Sequence, residues 1–379
     1  ADCAARLRAA AREADLVIVE GVMGLFDGAP SAADLARRFG LPVLAVVDAS
    51  AMAGTFGALA FGLQHYQPGL RWAGVLANRV GSARHAEMLQ AGLREPADWL
   101  GALMRNPALS LPERHLGLVA ANEVADASVR LDAAADALAD TPLGRMTAQD
   151  LRAWNVDFGA QALALPPDAA LTSQPLAGRT IAIARDAAFC FIYAANLECL
   201  RALGARLVFF SPLAPGALPA SDAVWLPGGY PELHATVLAA NHALRDSLVR
   251  HVAEGRPVWA ECGGMMALFE RLHTADGAAH TMWGLLPGDV FMQKRLAALG
   301  PQQLAVDGEV LRGHTFHYSR SETPLRAFAH CTRPAGGSEG EAVYAQGTLR
   351  ASYFHAWFGS SPRLVAQFFG AADATMRDA

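Results

Sequence analysis

The sequence predicts an α/β fold, with two doubly wound parallel-sheet domains in one chain. Three observations predict it. Short, β-branched apolar runs alternate with helix-periodic segments over residues 1–160. The same alternation restarts at residue 179. Between them, residues 161–178 carry Leu165-Pro166-Pro167-Asp168 and Thr172-Ser173-Gln174-Pro175, a linker composition without periodicity. The expected division is therefore 1–160, a linker over 161–178, and 179–379.

In the first domain a helix ends near Glu13, and Leu16-Val17-Ile18-Val19 reads as a buried parallel strand ending at Glu20-Gly21. Pro42 to Asp48 and Trp72 to Asn78 read as two further strands, with helical patterns over Ala32 to Phe39, Ala53 to Gln64 and Arg84 to Leu93. In the second domain the strands are Thr180 to Ala184, Arg206 to Phe210, Ala223 to Leu226 and Pro257 to Cys262. Helices are expected over Phe191 to Leu203, Pro231 to Glu254 and Met265 to Leu272, with shorter strands toward the end of the chain.

Composition excludes several classes. A 53% hydrophobic, 18% charged chain of 379 residues is well supplied with core and is not disordered. The net charge of −5 and the absence of a basic run argue against nucleic acid. No apolar run reaches the ~18 residues that span a bilayer, so no membrane partner is expected. Five widely spaced cysteines without C-x-x-C lack a zinc or redox signature and fit a reducing cytoplasm. The only lysine is Lys294, in Phe291-Met292-Gln293-Lys294-Arg295, so these residues hold no G-x-x-x-x-G-K-[ST] phosphate loop.

The strongest constellation is Ala260-Glu261-Cys262-Gly263-Gly264. A cysteine between an apolar strand and a helix, with small residues two before and two after, fits a nucleophile elbow. A strand end and a helix N-terminus both favour thiolate. Leu226-Pro227-Gly228-Gly229-Tyr230-Pro231 ends the preceding strand, so the N–H groups of Gly229 and Gly263 are candidate oxyanion donors. The candidate base is His355, with His234, His314 and His317 as rivals. The alternative for Cys262 is a buried structural thiol, which remains the reading for the other four cysteines.

Together these features resemble a triad (class I) glutamine amidotransferase domain. More narrowly, the chain resembles the cobyrinate and hydrogenobyrinate a,c-diamide synthases of corrin-ring biosynthesis. The resemblance rests on Glu20-Gly21-Val22-Met23-Gly24-Leu25-Phe26-Asp27-Gly28, Pro112-Glu113-Arg114-His115-Leu116-Gly117-Leu118, Gly228-Gly229-Tyr230-Pro231-Glu232-Leu233, the Cys262 segment and Phe316-His317-Tyr318-Ser319. It implies Cys262 as glutaminase nucleophile and His355 as its base. Typical class I enzymes carry a Glu two residues after that histidine; here the position is Trp357, which leaves open the group that orients His355.

The resemblance further implies a first domain like dethiobiotin synthetase. There Glu20 and Asp27 would bind Mg²⁺ and Asn78 would contact the nucleotide of ATP. A helix-cap neighbour, a turn residue and a plain strand-end Asn are the alternatives at those three positions. L-glutamine and a corrin tetrapyrrole carboxylate are the implied substrates, and a homodimer is compatible with the family. Family members begin with a strand and a glycine-rich phosphate loop, so the expectation is that this sequence starts after them. Rival readings are a cobyric acid synthase-like amidotransferase, a Cys-His hydrolase, and a non-enzymatic P-loop scaffold.

Overall fold

A computed structural model describes residues 2–21, 23–111, 124–158, 174–334 and 336–370. Two compact units divide the chain, Ala1–Pro166 and Pro167–Ala379. The Pro112 to Leu118 motif and most of the expected linker lie outside the described residues.

In the first unit, β1 (Pro42–Asp48), β2 (Arg71–Val80) and β3 (Trp99–Met104) form a parallel sheet in that order. Helices Gly54–His65 and Ala83–Ala91 connect the strands, and Phe56, Val75, Ala77 and Leu89 close a small core. Helix Ala32–Phe39 starts at a capping box, with the Ser31 hydroxyl and the Asp34 carboxylate each accepting from the other's N–H. The expected strand at Leu16 to Val19 is absent. That segment makes no ladder with a described residue, and Leu16, Ile18 and Val19 are 59%, 84% and 50% exposed. β-branched composition does not make a strand without a paired neighbour.

The second unit is built on β4 (Thr180–Ala184), β5 (Arg206–Phe210), β6 (Ala223–Leu226) and β7 (Val258–Glu261). The chain continues through β8 (Phe269–His273), β9 (Ala279–Thr281), β10 (Leu286–Met292), β11 (Ala298–Val306), β12 (Glu309–His317) and β13 (Ser319–Glu322). It ends with β14 (Ala327–Thr332), β15 (Glu339–Gln346), β16 (Leu349–Ser352) and β17 (His355–Trp357). Ten of these strands form one sheet in the order β17-β12-β11-β14-β15-β16-β7-β6-β4-β5.

Only the run from β16 to β5 is parallel; the other pairings of this sheet are antiparallel. The α/β class holds, but this sheet is mixed. Short returns such as Asp307-Gly308, both at positive φ, join antiparallel neighbours without a crossover helix. A second sheet, β13-β10-β8-β9, packs alongside. It claims Phe269 to Leu272, so the helix expected to reach Leu272 stops at Leu268. The long helix expected over Pro231 to Glu254 breaks at Asn241, whose side chain caps Leu244 N–H and donates to the carbonyls of Pro212 and Ala214.

The parallel strands β4, β6, β7 and β16 are buried on both faces. Ala182, Val224, Leu226 and Ala260 point to a core with Leu238, Leu248 and Met265, while Ile181, Ile183, Trp225 and Trp259 point to one with Leu200, Phe354 and Phe369. The chain steps from β4 to β5 on one side and then returns past β4 to β6 on the other, so the switch point that opens a crevice lies at the carboxyl ends of β4 and β6, with β7 next to β6.

Candidate active site

Cys262 stands at that crevice. It follows β7 directly and caps the helix Gly263–Leu268. Its φ of 46° and ψ of −107° are a conformation that side-chain-bearing residues rarely adopt. The strain is held by an N–H bond to the Ser352 carbonyl at 2.7 Å and by the Met266 N–H returning to the Cys262 carbonyl at 2.9 Å. The flanking glycine is required by space: a Cβ on Gly264 would lie 2.1 Å from the Leu226 carbonyl oxygen.

The loop after β6 lies against this elbow. A Cβ on Gly263 would sit 2.9 Å from both the N and O of Gly229 and 2.8 Å from Pro231. A Cβ on Gly228 would meet the His355 ring at 2.4 Å, and one on Gly229 would meet the Ala188 carbonyl oxygen at 2.1 Å. The Gly228-Gly229 backbone therefore touches the His355 ring at one residue and Gly263 at the next. Asp186 pins the loop after β4, accepting from the N–H groups of Ala188 and Leu213. Cys262, Gly229, Gly263 and His355, separated by up to 126 residues, converge here.

The electrostatics differ from the expectation of a ready thiolate. Burial pushes the Cys262 thiol up, the Glu232 carboxylate adds to this, and the Gly263 N–H opposes both. A six-residue helix in a dry site does not outweigh desolvation. Burial likewise pulls His355 down to about 3, helped by His314 and His317. His314 stacks on His355 at 5.0 Å and 15°. The pair is thus neutral thiol with neutral imidazole. Nδ1 of His355 is buried without a hydrogen-bond partner among the described residues, leaving the ring an open bonding position. His234, the third rival, precedes the helix Ala235–Ala240.

Several residues around the site make contacts that the sequence motifs do not reveal. Glu261, beside the nucleophile, is 1% exposed and raised to about 7 by burial. Glu232 is also pushed up to about 7 by burial. Tyr353 is stacked on His317 at 3.8 Å and accepts from the Ser319 hydroxyl at 3.0 Å. His317 also bonds Glu341 at 3.0 Å. His317, Ser319, Glu341 and Tyr353 line a cavity of about 300 Å³ with Arg320 and Arg333. Their placement depends on strand pairings that no local pattern reveals.

Residues 180–363 match the model of the CobB/CobQ-like glutamine amidotransferase domain. The whole chain matches further. It is 52% identical to a "Hydrogenobyrinate a,c-diamide synthase" of Stutzerimonas stutzeri over 94% of this chain and 80% of that protein. A protein of the same name from Pseudomonas aeruginosa is 50% identical over 97% of this chain and 81% of its own length. A "Cobyrinate a,c-diamide synthase" of Herminiimonas arsenicoxydans is 49% identical over the same two shares.

The chain belongs to the a,c-diamide synthase family. This a,c-diamide synthase-type chain carries its other candidate residues in the first unit. Asn78 lies near the carboxyl end of β2; its Oδ1 accepts from the Arg79 N–H at 2.9 Å, and its carbonyl accepts from Ala49. Arg79, at φ 59°, pairs with Asp48 at 3.0 Å. Asp27 turns back on Gly24, its N–H donating to the Gly24 carbonyl at 2.9 Å. Glu20 is exposed and lies outside any sheet strand. The described residues hold no group of three or more His, Cys, Asp or Glu side chains able to share a metal. Hard carboxylate oxygens at Glu20 and Asp27 still fit Mg²⁺, which takes one or two carboxylates and fills its remaining positions with water and phosphate. No helix of the described residues is long and apolar enough to cross a membrane.

Proposed function

We propose that this chain uses glutamine to amidate the a and c acetate side chains of a corrin precursor in cobalamin biosynthesis, as a cytoplasmic enzyme. The observation that carries the reading is the strained elbow at Cys262 beside the Gly228-Gly229 loop and His355. Hydrogenobyrinate is the proposed substrate, because two of the three relatives described above bear its name.

Cys262 Sγ attacks the side-chain carbonyl carbon of glutamine. His355 takes the thiol proton during the attack and delivers it to the leaving ammonia. A resting neutral pair suits this: the imidazole is free to accept, and the thiolate exists only as it is consumed. The N–H groups of Gly229 and Gly263 receive the negative charge that develops on the carbonyl oxygen. Water then hydrolyses the γ-glutamyl thioester to glutamate and restores the thiol.

In the other half-reaction a side-chain carboxylate of the corrin is phosphorylated by ATP and ammonia displaces phosphate. Glu20 and Asp27 would hold Mg²⁺, which when bound neutralises charge on the transferring phosphoryl group. Asn78 would contact the nucleotide. The test supplies glutamine, ATP, Mg²⁺ and either hydrogenobyrinate or cobyrinate to the protein and reads mono- and diamide by mass spectrometry. Diamide from hydrogenobyrinate supports the proposal; glutamate release without amidation of either corrin contradicts it.

A further inference from the structure

We propose that Glu261 is the positioning residue for His355, acting through the backbone rather than through the imidazole; this rests on His355 being the glutaminase base. The position two residues after His355 is Trp357, so the acid that orients the histidine in related triads is absent there. Glu261 provides a different hold. Its Oε1 accepts from the Ala356 N–H at 3.1 Å and from Trp259 Nε1 at 2.8 Å, and the residue is 1% exposed. One side chain therefore ties the residue before the nucleophile to the residue after the base.

The local fold makes this tie necessary. β17 is three residues long, and Ala356 lies opposite Gly313 in the pairing with β12. Both backbone groups of Ala356 bond to side chains: its N–H to Glu261, and its carbonyl to Asn196 Nδ2 at 2.8 Å. Asn196 also accepts from Phe358 N–H at 2.9 Å. Ala356 is fully buried, so no water can replace a lost acceptor at its N–H. The backbone at Gly313 approaches so closely that a Cβ would lie 2.0 Å from the His355 carbonyl oxygen. Withdrawing the Glu261 acceptor frees the side of β17 that faces the nucleophile's own strand, and His355 moves with it.

Because the function is acceptance, the carboxamide serves as well as the carboxylate. In the intact protein, E261Q keeps glutamine-hydrolysis kcat within about threefold of wild type. E261D, shortened by one methylene, and E261L, with no acceptor, lose kcat by about tenfold or more while KM for glutamine changes less than about threefold. Wild-type kcat in E261D or E261L overturns the proposal. So does equal impairment of E261Q and E261L, or a loss expressed in KM alone. Should E261L fail to fold, E261D and E261Q still decide it. C262A separates the two levels: if it still hydrolyses glutamine, the glutaminase reading itself fails. An inactive C262A beside a fully active E261D refutes only the role of Glu261.

Discussion

At Cys262 burial raises the cost of the thiolate by more than the Gly263 N–H recovers. Alkylation of Cys262 by iodoacetamide in the free protein should therefore be slow near pH 7 and accelerate about tenfold per pH unit up to roughly pH 9. A rate already at its plateau at neutral pH would contradict this. His355 has the complementary behaviour. Its folded value of about 3 lies below the ordinary 6.5, so between these the unfolded chain binds a proton that the folded chain refuses. The stability it contributes is complete above 6.5 and is lost as pH falls toward 3. Glu261 and Glu232, raised from 4.5 to about 7, act oppositely between those values. Below 4.5 the histidine effect is left unopposed by them, on the order of 1 kcal/mol per pH unit. Denaturant titrations at about pH 4 should find H355N losing less stability from its neutral-pH value than wild type does. Parallel losses in the two proteins would refute the assignment.

The elements divide by how local their causes are. Pro42 to Asp48, Thr180 to Ala184, Arg206 to Phe210 and Ala223 to Leu226 are strands with the bounds read from apolar runs, because each has at least one paired neighbour that rewards the run. Leu16 to Val19 has the same composition and no described partner, and it stays exposed. Phe269 to Leu272 reads as helix until β10 and β9 pair with it. The elbow was legible from spacing alone, since the demand for Ala260 and Gly264 is local steric exclusion. Glu261 was not, because its meaning lies in a bond to a residue 95 positions away.

The elbow also predicts two stability effects. G264A forces a Cβ toward the Leu226 carbonyl, with a loss of about 1–3 kcal/mol in urea unfolding. C262G, which relaxes the positive φ, should be more stable than C262A by on the order of 1 kcal/mol, although both lack the thiol. An unchanged midpoint for G264A, or C262A equal to C262G, would count against a strained turn.

For the whole molecule, the two units carry separate cores. All of the glutaminase candidates lie in Pro167–Ala379, and Glu20, Asp27 and Asn78 lie in the other unit. The 167–379 fragment should fold cooperatively and retain glutamine hydrolysis without ATP or corrin. Loss of hydrolysis from a folded fragment would show that the first unit contributes to that site. The family assignment was readable because the Gly228, Cys262 and Phe316 motifs sit at strand ends of the second unit, while the mixed character of the large sheet depends on returns that have no helix-to-strand alternation to announce them.

The central claim is that glutamine is opened by Cys262. The most direct measurement is intact-protein mass spectrometry after rapid acid quench of a glutamine reaction, followed by peptide mapping. The account predicts a glutamyl adduct on the peptide containing Cys262 in wild type, and neither adduct nor ammonia release in C262A. A glutamyl adduct on another residue, or glutamine hydrolysis persisting in C262A, would contradict it.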